Sequence, residues 1–148
     1  MAPRTTTTGP IARGKSRWAL ANRSTGTRPE VAVRKQLHAM GYRFRTRLTI
    51  GAEGCRVRPD IVFPRQRLAV FVDGCYWHGC SVHGGQPVSN SDYWQAKMAH
   101  NKRRDEWVNA ALMSGGWHVR RVWEHIDVIT AANLIVSELK ALSSIDGQ

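Results

Sequence analysis

The stretch Leu68–His83, LAVFVDGCYWHGCSVH, decides how the rest of the chain is interpreted. It begins with a run of apolar β-branched and aromatic residues, Leu68–Val72, which predicts a buried strand. The residues that follow include five side chains able to bind a metal ion or move a proton: Asp73, Cys75, His78, Cys80 and His83. Glycines at positions 74 and 79 loosen the backbone between them. A strand that ends in a carboxylate and continues into a Cys/His loop predicts a functional site.

A second carboxylate is expected at the same end of this strand. Pro59 and Asp60 precede the apolar residues 61–63, and a turn over residues 64–67 leads into the strand that begins at Leu68. The two strands should pair as an antiparallel hairpin, which brings Asp60 and Asp73 together at one edge. Two carboxylates in this position are the ligands that a Mg²⁺ site requires. The alternative is that Asp60 merely follows a proline in a turn.

The N-terminal half of the chain predicts one helix before this hairpin. Residues 27–30, TRPE, have the spacing of a capping box with proline in the first turn. The helix should run to about Met40, with Val33, Leu37 and Met40 on one face. Glu30 is then either a plain capping carboxylate or a functional one. The alternation of residues 42–47 predicts a half-exposed strand, and residues 49–58 a loop with Cys55 as a buried thiol.

The C-terminal half predicts a helix, a strand and a further helix. The long helix should span residues 92–114, with an apolar face and a basic face. Residues 117–123 predict a strand added in parallel to the sheet, because a helix separates it from the hairpin. The last helix should span residues 130–142, with one apolar side formed by Leu134, Ile135, Leu139 and Leu142. The resulting order predicts a small α/β sandwich.

Composition limits the class of partner. The 148 residues suffice for one domain, and 22 Lys and Arg against 11 Asp and Glu give a net charge of +11. Such a surplus predicts a polyanionic partner, nucleic acid before an anionic membrane, although it can also be a solubilising surface. We expect neither a signal peptide nor a membrane span, and therefore a cytoplasmic protein.

The predicted domain organisation is simple. Residues 1–16 are rich in Thr, Pro, Gly and Arg without periodicity, which predicts a disordered basic arm that either contacts phosphates or is a passive tail. The folded domain should span residues 17–142, followed by a flexible tail over 143–148. We expect a monomer.

The Cys/His loop favours a structural zinc ion. Three cysteines with histidines close by fit a metal site better than a disulfide framework. Cys80 and His83 have ligand spacing, Cys75 lies near them, and His125 at a strand end can supply the distant fourth ligand. These residues could instead be unrelated, but a glycine-bracketed loop with little apolar content needs something to hold it. His78 is then left to orient or deprotonate a water molecule.

The sequence resembles the very-short-patch repair (Vsr) DNA mismatch endonucleases, which belong to the PD-(D/E)xK restriction-endonuclease-like nucleases. The matching segments lie in order along the chain: TRPE at 27–30, RPDIVF at 58–63, FVDGCYWHGC at 71–80, DYWQAKMAHNKRRD at 92–105 and GWHVRRVWEH at 116–125. The resemblance implies a restriction-endonuclease-like three-layer sandwich, in which a mixed central sheet is flanked by helices and a structural zinc site is present.

The resemblance also implies a function. Family members nick one strand of double-stranded DNA at a T:G mismatch, which arises when 5-methylcytosine is deaminated, and they depend on Mg²⁺. Asp60 falls at the metal-binding aspartate, the Val72 backbone carbonyl at a second metal ligand, His78 at the histidine that activates water, and Glu30 at a catalytic glutamate. The wedging aromatic residues match Tyr76, Trp77 and Trp94, and we assign further DNA contacts to Lys97, Asn101 and Arg104.

Two positions depart from the family pattern. Asp73 stands where the best-known members have a histidine, and a carboxylate there can bind Mg²⁺ directly. We therefore assign Mg²⁺ to Asp60, Asp73 and the Val72 carbonyl. Val82 occupies one zinc position and His125 replaces a cysteine, so that the zinc ligands become Cys75, Cys80, His83 and His125.

Two other functions are kept as alternatives. One is a nicking endonuclease of a restriction or defence system without mismatch specificity, and the other is a non-catalytic, zinc-stabilised DNA-binding module. For the repair enzyme, MutL- or MutS-type proteins are candidate partners, and a bacterial, nucleoid-associated location is expected.

Overall fold

A three-stranded mixed sheet lies between helices in the computed structural model, which describes residues 27–52, 54–74, 91–145 and 147. The elements in chain order are α1 (Arg28–Ala39), β1 (Ile50–Ala52), β2 (Cys55–Val57), β3 (Ile61–Phe63), β4 (Leu68–Asp73), α2 (Ser91–Ser114), β5 (His118–Trp123) and α3 (Val128–Ile145). The predicted α/β class is confirmed. The predicted arm over residues 1–16 lies outside the described residues.

The central sheet has the strand order β3-β4-β5. Strand β3 is antiparallel to β4, with Ile61 opposite Val70, so that the predicted hairpin is confirmed. Strand β5 is parallel to β4, with Asp73 opposite Trp123, which confirms the predicted parallel addition. A parallel neighbour needs a long crossover connection, and α2 supplies it.

Two hydrophobic clusters cover the two faces of the sheet. Residues from α1 and α3 pack on one face, against Ile61 and Val70, and residues from α2 and from the β1–β2 pair pack on the other, against Val62 and Phe71. Side chains alternate between faces along a strand, which is why neighbouring residues belong to different clusters. The predicted three-layer arrangement with helices on both faces is therefore observed.

The segment before the hairpin differs from the prediction. Residues 42–47 do not form a regular strand, because only one bridge, between Arg45 and Val62, joins them to the sheet. Arg47 has a φ of 59°, which is incompatible with extending the strand further. Residues 49–58, predicted as a loop, contain the antiparallel pair β1–β2. The prediction that Cys55 is a buried thiol is confirmed.

The helix boundaries correct two predicted core positions. Helix α1 ends at Ala39, and Met40 is its C-cap residue, 36 % exposed rather than part of the apolar face. Leu134 is 39 % exposed, because the buried face of α3 is centred on Ala131, Ile135 and Leu139. Helix α3 extends beyond both predicted ends, to Val128 and to Ile145.

Helix α3 is long and apolar enough to pass a length-and-composition test for a membrane span, with a mean hydropathy of 1.4. The core helix of a soluble protein passes the same test, and six residues of α3 are buried against the rest of the fold. The length and composition of α3 are therefore weak evidence for a membrane location.

Candidate active site

Asp60 lies at the start of β3, next to the last residues of β4. Its backbone N–H donates to the carbonyl of Val70 at 3.0 Å, and its Oδ2 accepts a hydrogen bond from the N–H of Val72 at 2.7 Å. The hairpin therefore attaches the Asp60 side chain directly to the residue before Asp73. The half-buried carboxylate has one oxygen held by the backbone of the neighbouring strand.

Glu30 and Arg34 on α1 complete the surroundings of Asp60. Glu30 is only 2 % exposed, and its Oε2 accepts from the N–H of Thr27 at 3.3 Å, so that the predicted capping box is confirmed. Its carboxyl group also lies near enough to the side chain of Asp60 to raise the pKa of that residue. Arg34 donates through Nη2 to Glu30 Oε1 at 2.5 Å and to the Asp60 carbonyl at 2.6 Å. Glu30 thus both caps the helix and contacts the candidate catalytic aspartate.

Sequence reasoning did not single out Arg34. The signal that could have identified it is its position four residues after Glu30, which places both side chains on the same face of α1. The guanidinium group holds the backbone of Asp60 and the carboxylate of Glu30 at once, and so fixes the helix to the start of β3.

The pKa of Asp60 is raised from 3.8 to about 7. Burial is the main cause, because it disfavours the charged form, and the charge and hydrogen bond of Glu30 act in the same direction. The N–H of Val72 and the charge of Arg34 act in the opposite direction.

The register of the hairpin directs the Val72 carbonyl toward the side of β4 on which Asp60 lies. Val70 accepts from Asp60, so its polar backbone groups face β3, and those of Val72, two residues later, face the same way. Continuing the register places Pro59 opposite Val72. Because proline has no N–H, β3 offers the Val72 carbonyl no backbone donor.

The donors at this edge suit Mg²⁺. Asp60, Glu30 and the Val72 carbonyl provide oxygen atoms only, which is the ligand type that Mg²⁺ takes in proteins. Burial and the neighbouring Glu30 both raise the pKa of Asp60, and a divalent cation bound there would favour the charged form of its carboxylate. Across the described ranges, no group of three or more His, Cys, Asp or Glu side chains is arranged to hold a metal. Of the predicted Mg²⁺ ligands, Asp60 and Val72 thus lie together here with Glu30 as a further oxygen donor, and the assignment of Mg²⁺ stays a prediction.

Asp73 has a different environment. It is 7 % exposed, and Nη1 of Arg121 on β5 donates to its Oδ1 at 3.0 Å and to its Oδ2 at 3.2 Å. Arg121 also lies 3.5 Å from Asp105 on α2 and donates through Nε to Asn109 at 2.9 Å. The assignment of Asp73 as a Mg²⁺ ligand stays a prediction. Arg121 and Asn109 were not anticipated, because nothing in the sequence shows which face of β5 meets the hairpin end.

The predicted DNA-contacting residues of α2 lie on its N-terminal half. Lys97 and Arg104 are exposed, and Trp94 and Asn101 are half-buried. The ammonium group of Lys97 lies 5.8 Å from the centre of a Trp94 ring and 6.0 Å from that of Tyr93. Residues 92–107 contain no buried side chain, and the first buried one is Val108. Cationic and aromatic side chains therefore lie close together on a part of α2 that is not buried in the core.

Most of the Cys/His loop lies outside the described residues. This applies to Cys75, Tyr76, Trp77, His78, Cys80 and His83. The remaining predicted zinc ligand, His125, is exposed and its ring is stacked on Trp123 at 6.4 Å. The N–H of Glu124 donates to the carbonyl of Asp73 at 2.9 Å, so His125 follows a residue bound to the end of β4. The chain continues from there to Cys75, which is compatible with the predicted zinc set.

Comparison with known proteins identifies relatives over most of the chain. The family model described as DNA mismatch endonuclease Vsr matches residues 12–83. The type II nicking enzyme V.NaeI of Lentzea aerocolonigenes is 45 % identical over 134 residues, which are 90 % of this chain and 81 % of the relative. The type II nicking enzyme V.XorIIP of Xanthomonas oryzae pv. oryzae is 48 % identical over 103 residues, 69 % of this chain and 73 % of the relative.

A more distant relative carries the family's own description. The DNA mismatch endonuclease Vsr of Escherichia coli is 28 % identical over 113 residues, which are 76 % of this chain and 69 % of the relative. Residues 12–83, which the family model matches, include the hairpin with Asp60 and the helix with Glu30. Family model and relatives agree, and the chain belongs to the Vsr family of endonucleases.

Proposed function

We propose that this protein is a DNA endonuclease that nicks one strand of duplex DNA at a T:G mismatch by Mg²⁺-dependent hydrolysis of a phosphodiester bond. The observation that carries this proposal is the Asp60–Glu30 carboxyl pair beside Val72 at the end of the central hairpin. Membership of the Vsr family and the net charge of +11 support DNA as the substrate. The reaction takes place in the cytoplasm.

The proposed roles follow from the donors at this site. When bound by Asp60, Asp73 and the Val72 carbonyl, Mg²⁺ would polarise the phosphate and stabilise the charge of the leaving oxygen. An imidazole nitrogen of His78 accepts a proton from water as the water oxygen bonds to phosphorus and the bond to the leaving sugar oxygen breaks. Glu30 orients the Asp60 carboxyl group, and Arg34 holds the Asp60 backbone.

The proposed DNA contacts lie on α2 and in the Cys/His loop. Tyr76, Trp77 and Trp94 insert beside the mispair, because flat rings can replace the stacking that an opened base step loses. A mismatched base costs less to unstack than a paired one, which would provide selectivity. Lys97, Asn101 and Arg104 contact the phosphate backbone. The aromatic and cationic side chains at the start of α2, none of which is buried, support this role.

We also propose a structural zinc ion bound by Cys75, Cys80, His83 and His125. The position of His125, just after a residue bonded to the end of β4, supports it. Zinc would hold the loop that carries His78 and the two aromatic residues. The purified protein should contain one zinc per chain by elemental analysis, and Cys75→Ser should lose zinc and stability. A stable wild-type protein without zinc would refute this assignment.

A second function is favoured by the identity of the relatives. The two that are 45 % and 48 % identical are named type II nicking enzymes, whereas the one named for mismatches is 28 % identical. The alternative is therefore a nicking endonuclease that accompanies a restriction or defence system and lacks mismatch specificity. MutL- or MutS-type partners belong only to the repair function and stay a prediction.

One assay separates these functions. A set of end-labelled duplexes with identical flanking sequence should carry T:G, C:G or another mismatch at one position, and nicking should be followed with Mg²⁺ and with EDTA. Asp60→Asn, purified in parallel, controls for contaminating nucleases. We expect a Mg²⁺-dependent nick in the T-containing strand of the T:G duplex. Equal nicking of T:G and C:G would favour the alternative, and binding without any nicking would indicate a non-catalytic module.

A further inference from the structure

Arg121 connects the catalytic edge of the sheet with the helix that carries the proposed DNA contacts. We infer that Arg121 is a positioning residue: it orients the Asp73 carboxylate and fixes α2 relative to that carboxylate. The inference rests on the proposed function, because it concerns how the same site holds its metal and its DNA.

The guanidinium group of Arg121 is itself held in place by the strand next to it. Arg121 pairs with Phe71 across the parallel β4–β5 ladder, and its guanidinium carbon lies 4.3 Å from the centre of the Phe71 ring. A planar cation stacked on an aromatic face has a defined orientation as well as a favourable energy. Its N–H groups are therefore directed by packing before they meet any carboxylate.

The directed N–H groups contact two different elements. Nη1 donates to both carboxylate oxygens of Asp73, and Nε donates to Asn109 while Nη1 also lies 3.5 Å from Asp105. Phe71 and Asp73 are two residues apart on one face of β4. Asp105 and Asn109 are four residues apart on one face of α2. One side chain thus bridges the end of the hairpin and the middle of the long helix.

This bridge lies where α2 leaves the core. Asp105 and Asn109, which Arg121 contacts on α2, flank Val108, the first buried residue of that helix. Every side chain of residues 92–107 is at least partly exposed. Trp94 stands eleven residues before Asp105, about 16 Å along the helix axis. A tilt of about 5° would move it by more than about 1 Å, a misplacement that can cost about 100-fold in rate.

The matched experiment compares Arg121→Lys with Arg120→Lys. Both keep the charge and lose the planar fork, but Arg120 is paired with Glu138 on α3, on the opposite face of β5. Mg²⁺ titrations followed by thermal unfolding give a half-saturation point, and steady-state nicking separates kcat from KM. We expect Arg121→Lys to need about 10-fold more Mg²⁺ and to lose about 10- to 100-fold in kcat. Arg120→Lys should stay within about twofold of wild type in both.

The two arms of the bridge can be tested one at a time. Asn109→Ala keeps the contact with Asp73, so duplex affinity without metal should fall several-fold while the Mg²⁺ half-saturation point stays unchanged. In an Asp73→Asn background, Arg121→Lys should change that half-saturation point by less than about twofold, because Arg121 acts on the metal through Asp73. Unchanged duplex affinity in Asn109→Ala would overturn the fixing of α2. Independent effects of Arg121→Lys and Asp73→Asn would overturn the orientation of Asp73.

These readouts keep the inference separate from the proposed function. If the wild type nicks none of the duplexes, the function is wrong, but Mg²⁺ half-saturation and duplex affinity still compare the two lysine variants. The positioning role would be overturned if the two lysine variants had the same Mg²⁺ half-saturation point and the same duplex affinity. This holds whether both match the wild type or both are weakened, since an equal loss would show a general effect on β5.

Discussion

Asp60 and Asp73 lie at the same end of one hairpin, but the groups around them have opposite effects on the two carboxylate charges. Asp60 contacts a second carboxyl group, Glu30, and its pKa is raised to about 7. Asp73 receives two contacts from the guanidinium group of Arg121. Arg34 therefore binds Glu30 and the Asp60 backbone but leaves two carboxyl groups side by side, whereas the Asp73 carboxylate is paired directly with a guanidinium group. A cation bound at this edge would therefore stabilise the charge of Asp60 more than that of Asp73, which Arg121 already orients.

The largest effect is expected for Asp60→Asn. Asparagine can still accept the N–H of Val72, but it removes the charge that would hold Mg²⁺. Nicking should fall by about 10³-fold or more, since metal stabilisation of the transition state supplies several kcal/mol. Duplex affinity measured in EDTA should remain close to that of the wild type. Retained nicking would show that the hydrolytic centre lies elsewhere.

Glu30→Gln should have the next largest effect. Glutamine keeps an oxygen that can accept the N–H of Thr27, so helix α1 remains capped. The substitution removes the negative charge of Glu30 next to Asp60, a charge that would help to hold a cation at this site. We expect about 10- to 100-fold slower nicking at limiting Mg²⁺, with partial recovery at high Mg²⁺. A variant with wild-type kinetics would reduce Glu30 to its capping role.

Substitution of the two aspartates should change the free energy of unfolding in opposite directions. Asp60→Asn removes a buried charge with an unfavourable neighbour, and at pH 8 without metal it should stabilise the fold by at least about 1 kcal/mol. Asp73→Asn leaves the Arg121 guanidinium without a charged partner on β4 and should destabilise the fold by about 1–3 kcal/mol. Urea unfolding of both variants measures this contrast. Changes of the same sign would contradict the difference between the two environments.

The smallest effect is a pH dependence of the metal-free protein. Because the pKa of Asp60 is raised from 3.8 to about 7, the folded state holds a proton between these values that the unfolded state has released. The stabilisation is fully present below pH 4 and is lost as pH rises to about 7. The melting temperature of the wild type relative to Asp60→Asn should fall by about 3 °C over this range. A constant difference would show that the pKa is not raised.

The local sequence was sufficient to predict several elements because their signals are short-range. The TRPE capping box, the turn between β3 and β4, and the apolar run of β4 all depend on neighbouring residues, and all three are confirmed. Residues 42–47 show the limit of this reasoning. Their alternation is real, since Tyr42 and Phe44 pack against the core, but the positive φ at Arg47 leaves one bridge instead of a strand.

The candidate site was predictable in its residues but only partly in their pairing. Motifs identified Asp60, Glu30 and Asp73, and the hairpin explained why Asp60 reaches Val72. The i,i+4 spacing could have placed Arg34 beside Glu30, but the contacts of Arg34 with Asp60 and of Arg121 with Asp73 could not be chosen in advance among 22 basic residues, because packing brings these groups together. The zinc ligands Cys75, Cys80 and His83 lie outside the described residues, and their set stays a prediction.

The amino-acid sequence by itself determined the three helices and the strands of the central sheet in their order, the hairpin that carries Asp60, and membership of the Vsr family. These follow from hydrophobic period, turn residues and motifs, which act over a few positions along the chain. Only the tertiary structure decided which charges share a site: Glu30 with Asp60, and Arg121 with Asp73. The physical reason is that electrostatic partners are set by distance and burial in three dimensions, and separation along the chain carries no information about either.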